Sequence, residues 1–121
     1  MRNSVRRPAQ IGGRVVYRET AIVLAEIRDQ LRHLERRARS RRVPTPLFLF
    51  PSASRIIREP QGVVLVMAPW NYPFQLALDP LVGALAAGNC VALKPSTTSA
   101  RTCRLIGNIL GEIFPGLRVG F

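Results

Sequence analysis

Apolar residues first recur at a helical period. Leu24, Ile27, Leu31, Leu34 and Ala38 follow one another at spacings of three and four, which places them on one face of a helix. Arg28, Arg32, Glu35, Arg36 and Arg39 fall outside that stripe. Thr20 is a candidate cap at its start. The run Ser40-Arg41-Arg42-Val43-Pro44 ends it, because the residue before a proline avoids helical angles. Residues 1–18 show no period and carry five arginines, so a mobile basic arm is expected there, with one domain over residues 19–121.

A Pro-punctuated stretch follows. Leu47–Phe50 and Arg55–Arg58 are short and rich in apolar or β-branched residues, separated by Pro51-Ser52-Ala53-Ser54. They read as two strands of a hairpin.

From Gly62 the pattern changes. Val63-Val64-Leu65-Val66-Met67 is apolar without alternation, which predicts a strand buried on both faces, as in a covered parallel sheet. Pro69-Trp70-Asn71-Tyr72-Pro73 breaks it. Phe74–Ala87 reads as a helix that Pro80 kinks or restarts, and Gly88-Asn89 is a stop signal. Cys90–Leu93 is a second apolar strand, closed by Lys94-Pro95. Thr97–Ser99 offer caps for a last helix carrying Leu105, Ile106, Ile109, Leu110 and Ile113, which Pro115-Gly116 ends. The predicted fold class is α/β: a helix and a β-hairpin, then a βαβα unit of an incomplete parallel sheet with a right-handed crossover.

Length allows one small domain: 121 residues, 47% of them hydrophobic. Charge changes the picture more. The formal net charge is +11, from 18 basic against 7 acidic residues, and Lys94 is the only lysine. Such a balance attracts phosphates and anionic surfaces. The aromatic and Gly interleaving of common nucleic-acid modules is missing, so a solvated basic helix is the simpler account and no nucleic acid is expected. Cys90 and Cys103 have no metal-ligand or CxxC spacing, so no metal is expected. Both lie in segments that read as buried or half-buried, and two free thiols suit a reducing cytoplasm. Residues 61–78 carry no charge, but Pro69, Asn71, Pro73 and Gln75 interrupt them, so no membrane span is expected.

Two strand ends carry candidate chemistry. In open α/β sheets ligands bind beyond the carboxyl ends of the strands. Asn71 lies there between two stiffening prolines, and its amide can donate to a developing oxyanion. Trp70 can line a cofactor slot. An Asx turn at Asn71 and a core indole at Trp70 are the plainer account of these residues alone. Lys94-Pro95-Ser96 follows the second strand. A lysine there presents three donors suited to ribose hydroxyls or phosphate, although a solvated strand-end lysine is an equal account. No GxGxxG or P-loop is present. His33, the only histidine, reads as a surface residue of the first helix.

The pieces PWNYPF, PLVGALAAGN and LKPS between Gly62 and Ser96 resemble the aldehyde dehydrogenase superfamily. The first helix with Val43-Pro44-Thr45-Pro46-Leu47 and Phe50-Pro51 is similar to its class 3 branch, which includes fatty and coniferyl aldehyde dehydrogenases. The resemblance runs from about Glu19 to Gly116. It implies an amino-terminal fragment of a Rossmann-type NAD(P)-binding domain, from an enzyme that oxidises an aldehyde to an acid through a cysteine thiohemiacetal. It implies that Asn71 contributes to the oxyanion hole. It implies that Met67, Ala68, Pro69 and Trp70 line the cofactor cleft, and that Lys94, Ser96 and Thr97 contact the adenosine ribose of NAD or NADP. Many NAD-preferring members have a glutamate where Thr97 stands; threonine would not repel a 2′-phosphate, so NADP is expected to be tolerated. The resemblance places the nucleophilic cysteine, the general-base glutamate and the pyrophosphate-binding Gly motif beyond this chain, and neither Cys90 nor Cys103 matches the nucleophile. The isolated chain is therefore expected to be inactive. A homodimer is expected for the whole enzyme. Other readings are a related acyl-CoA or acyl-phosphate reductase fragment, a basic module binding nucleic acid or lipid, and a remnant that docks on intact subunits.

Overall fold

The computed structural model describes the backbone of residues 8–115 and the side chains of residues 17–115. Helix α1 spans Pro8–Ala38. Proline is well suited to open a helix, since its φ is preset and its missing N–H would have no partner there. Residues 8–18, expected to be an aperiodic arm, are thus the first turns of α1, and Thr20 lies inside the helix rather than at its cap. Residues 1–7 of the expected arm lie outside the described residues.

The face that α1 buries is also rotated from expectation. Glu19 and Val23 are buried and Glu26, Ile27 and Gln30 half-buried, whereas Leu24 and Leu31 face solvent. Residues 21–25 are apolar all round the helix, so the pattern leaves the inward direction ambiguous by one position, or about 100°. Packing against the next helix resolves it.

The hairpin forms from different residues than expected. Strand β1, Arg41–Val43, pairs antiparallel with β2, Ser54–Ile56, with Arg42 opposite Arg55. Leu47–Leu49, expected to be a strand, is a single 3₁₀ turn, and the Phe50–Pro51 bond is cis. Pro44, Pro46 and Pro51 deprive that stretch of the N–H groups a ladder needs. The three residues before Pro44 keep theirs and take the extended angles that a following proline favours. Thr45 closes the hairpin: its Oγ1 accepts the Ser54 N–H at 2.9 Å and donates to Ser54 Oγ at 3.0 Å.

The second half follows the predicted order. Strand β3, Val63–Met67, runs parallel to β4, Cys90–Lys94, and α2, Gln75–Ala86, connects them through a tight turn. Gly88 sits at φ 81°, a conformation costly for other residues. It completes a Schellman stop, with Gly88 N–H on Leu85 O at 2.9 Å and Asn89 N–H on Ala84 O at 3.1 Å. The Asn89 side chain then accepts the Gly62 N–H at 3.0 Å, and Cys90 N–H donates to Gly62 O at 2.8 Å. The end of α2 thereby sets the register of the sheet: Val63 opposite Cys90, Met67 opposite Lys94. Helix α3, Ala100–Ile113, ends the described chain, and Gly116 of its expected stop lies outside it.

The core lies on one face of this two-stranded sheet. Val23 of α1, Ala77, Leu78 and Leu81 of α2, Ile106 and Leu110 of α3, and Ala68 form it, with Ile27, Phe74, Val91 and Leu93 against them. The opposite face, with Val63, Leu65 and Met67, is open to solvent. Burial of β3 on both faces, expected for a covered parallel sheet, is not met among the described residues: their helices cover one face, and the other is the exposed apolar face expected of an incomplete sheet. Cys90, expected to be at least half-buried, is exposed on the open face; Cys103 is buried.

One polar atom beside this core lacks a partner. Asp79 Oδ1 is buried in α2 without a hydrogen-bond partner among the described residues. Burial raises the Asp79 pKa above the ordinary 3.8, Glu26 across the α1–α2 contact raises it further, and a hydrogen bond from Gln75 opposes them. A carboxyl whose pKa is higher folded than unfolded stabilises most when protonated, and that contribution declines as pH rises from about 3.8 through the raised value. Asp79→Asn is expected to increase stability at pH 7 by about 1 kcal/mol. Urea unfolding at pH 7 and pH 4 checks this, the gain shrinking at the lower pH; equal stability of the two proteins at pH 7 contradicts it.

Candidate functional site at the carboxyl ends of two parallel strands

The carboxyl ends of β3 and β4 lie side by side, as the register of Met67 with Lys94 requires. The ladder continues one residue further, with Ala68 N–H donating to Lys94 O at 3.1 Å. Two loops leave this edge: 68–74 toward α2 and 95–99 toward α3. Ser99 Oγ donates to Trp70 O at 3.3 Å, which ties the loops together. Below them Cys103 Sγ donates to Ser96 O at 2.9 Å and Ser99 N–H to the same oxygen at 3.1 Å. The structure thus brings Met67, Ala68, Trp70, Lys94 and Ser96 to one edge, with Pro69, Asn71 and Thr97 on the same two loops.

The Asn71 loop is held on both sides. Upstream are the Ala68 and Trp70 tethers. Downstream Tyr72 adopts φ 47°, a left-handed conformation rare for a bulky side chain, and its carbonyl accepts Leu76 N–H at 3.0 Å. Helix α2 then begins without a side-chain cap of its own. Its opening N–H groups go instead to α1: Phe74 and Gln75 N–H both donate to Glu19 Oε2, at 3.0 and 3.1 Å. Glu19 is only 4% exposed and is the one buried charged residue among those described.

Neither plain account of the loop survives. The Asn71 side chain makes no hydrogen bond among the described residues, so it closes no Asx turn there. Trp70 is 69% exposed, so it is not a core indole. Of the other candidates, Ala68 is buried and joins the core, Ser96 is half-buried, and Met67, Pro69, Lys94 and Thr97 are exposed. His33 pairs with Asp29 of its own helix at 2.9 Å, and Arg37 beside it at 2.7 Å holds the Asp29 carboxyl below its usual range. None of these three belongs to this edge. Among the described residues no cluster of three metal-ligating side chains occurs, and no helix is long and apolar enough to cross a membrane.

Glu19 goes unread in the sequence, and Ser99 reads only as a candidate helix cap; it stands at the cap position of α3, but its hydroxyl donates to Trp70 O instead. Glu19 lies four positions before Val23, on the face of α1 that only packing shows to be buried, so no signal in the sequence identifies it. Three hydroxyl residues in a row offer equal caps, so the bond from Ser99 to the Asn71 loop has no mark in the sequence either.

Known proteins resemble this chain along most of its length. The profile of the aldehyde dehydrogenase family matches residues 15–117. The 4,4'-diaponeurosporen-aldehyde dehydrogenase of Staphylococcus aureus is 44% identical over 96 residues, covering 79% of this chain and 21% of that enzyme. Human aldehyde dehydrogenase family 3 member B1 is 47% identical over 97 residues, covering 80% of this chain and 20% of its own. The solved structure of the substrate-bound S. aureus AldH superposes with a TM-score of 0.75 at 44% identity, over 78% of this chain and 20% of that one. The chain spans about one fifth of the length of these relatives.

Proposed function

This chain belongs to the aldehyde dehydrogenase family, and from that premise we propose that it supplies the oxyanion-binding amide and one wall of the cofactor cleft of an NAD(P)-dependent enzyme that converts aldehydes to carboxylic acids. The observation that carries the reading is Asn71: an exposed amide, without a partner among the described residues, on a loop tethered at both ends beyond a parallel strand.

The residues at this edge fit a dinucleotide. Lys94 brings an ammonium with three donors, and Ser96 and Thr97 add hydroxyls, the donor set that ribose oxygens and phosphates accept. Residues 67–71 add an apolar surface and a solvent-facing indole. No carboxylate occurs in 67–71 or 94–99 to repel phosphate. When bound, the nicotinamide supplies the hydride acceptor. Lys94, Ser96 and Thr97 hold the ribose end, and Met67, Ala68, Pro69 and Trp70 wall the cleft. The Asn71 amide donates to the aldehyde oxygen as negative charge develops on it during thiolate addition. That thiolate comes from outside this chain: Cys103 is buried against Ser96 O, and Cys90 lies on the open sheet face. The whole enzyme works as a homodimer in the cytoplasm, where two unpaired thiols such as these persist.

The test is a graft of residues 15–117 into the S. aureus enzyme in place of its matching segment. The graft is expected to form NAD(P)H from aldehyde, while the isolated chain forms none above background. With Thr97 in place of a carboxylate, NADP turnover is expected within about a hundredfold of NAD turnover. A folded, soluble graft without turnover refutes the reading, and a wider NAD preference removes the role given to Thr97.

A further inference from the structure

We propose that Glu19 is a positioning residue for Asn71: from within α1 it holds the end of the 68–74 loop so that the Asn71 backbone, from which the amide side chain projects, stays in place. The proposal rests on the reading of Asn71 as an oxyanion donor and adds the residue that makes its geometry possible.

A buried carboxylate is costly unless its oxygens are well paired. Glu19 Oε2 accepts two N–H groups at 3.0 and 3.1 Å, and both belong to the first turn of α2, where the helix dipole favours an anion. A serine or aspartate at the cap position would have satisfied that turn locally. Phe74 stands there instead, with no side-chain bond, and the cap comes from 55 residues away in sequence. A local cap would leave the loop free to move as a unit with α2. A cap from α1 ties the loop's downstream end to a second helix packed in the same core.

The position of the tether matters as much as its strength. Trp70 O is held by Ser99, and Phe74 N–H by Glu19. Only three residues lie between these points, Asn71, Tyr72 and Pro73. Pro73 has a preset φ, and Tyr72 occupies the left-handed region. Such a conformation persists only where the surroundings enforce it. With the Glu19 tether lost, Tyr72 is expected to relax toward negative φ, and the Asn71 side chain to turn with it.

The experiment is nuclear magnetic resonance on the ¹⁵N-labelled full chain and on Glu19→Gln. It reads amide exchange at Phe74, Gln75 and Cys90, and the position and mobility of the Asn71 and Tyr72 backbone N–H signals. In the parent chain Phe74 and Gln75 exchange slowly and the Asn71 and Tyr72 backbone is motionally restricted. In Glu19→Gln, Phe74 and Gln75 are expected to exchange at least tenfold faster. The Asn71 and Tyr72 backbone signals are expected to move toward those of an unrestrained loop, and Cys90 N–H, in the β3–β4 ladder, to remain protected. If Phe74 and Gln75 lose protection while the Asn71 and Tyr72 signals stay put, Glu19 is a helix cap alone and the proposal falls. If Glu19→Gln loses Cys90 protection as well, Glu19→Asp takes its place, keeping the charge while shortening the reach by one methylene. Loss of Cys90 protection in both variants also overturns the proposal, because Glu19 then determines the fold and not the loop. None of these signals depends on aldehyde chemistry; whether Asn71 meets an oxyanion is read separately, from the turnover of the grafted enzyme.

Discussion

Asn71→Ala in the grafted enzyme is expected to lower kcat by about a hundred- to a thousandfold, the effect of deleting one oxyanion donor. The aldehyde KM should change little. A neutral carbonyl gains little from the amide, and the gain arises as the oxygen becomes an anion in the transition state. Stability should change little as well, because the side chain is exposed and bonds to none of the described residues. An unchanged melting temperature with collapsed kcat is therefore the signature of a group that acts on the reaction. A kcat within about threefold of the parent would show that this amide does not meet developing charge. Asn71→Asp sharpens the comparison: it keeps the shape, removes both donors and adds a repelling charge, so it should be at least as damaging as alanine.

Ile106→Ala is expected to cost the isolated chain about 2–5 kcal/mol. Ile106 is 1% exposed, the largest fully buried side chain described, and α3 uses it with Leu110 to join the cluster made by α1 and α2. Small domains hold only about 5–15 kcal/mol in total, and this chain carries an open sheet face besides, so the loss is a large part of what exists. Urea unfolding followed by circular dichroism measures it through the midpoint. Leu31→Ala is the control. Leu31 is 72% exposed, so its truncation should fall within about 0.5 kcal/mol of the parent, although it stands on the stripe that periodicity marks as inward. Similar losses at the two positions would contradict the packing of α1 described above.

The contrast between Val23 and Leu31 shows what periodicity can and cannot resolve. Spacings of three and four identify a helix, but a helix apolar on several sides has no single inward direction until a partner packs on it. The hairpin is a similar case. Its existence was legible in short β-rich runs between prolines, but its pairing was not. Three-residue strands carry little pattern, and the decisive fact is which residues retain a free N–H opposite Ser54–Ile56. The site divides the same way. Asn71 and Lys94 could be placed on one edge because each lies at or just beyond the carboxyl end of an apolar strand in a βαβ unit. Glu19 could not be joined to them, because its partners are backbone N–H groups that carry no mark in the side-chain sequence.

By itself, then, the sequence determined the elements of the second half, their parallel order, the Gly88-Asn89 stop and the edge on which the candidate chemistry sits. These follow from local causes: runs of apolar residues, prolines, and a glycine where φ must be positive. The tertiary structure alone decided which face of α1 is buried, which strand pairs with β2, that β3 is covered on one side, and that a carboxylate from α1 caps α2 beneath the Asn71 loop. Those outcomes depend on contacts between residues far apart in the chain, and a hydrogen bond spanning 55 positions leaves no periodicity to read.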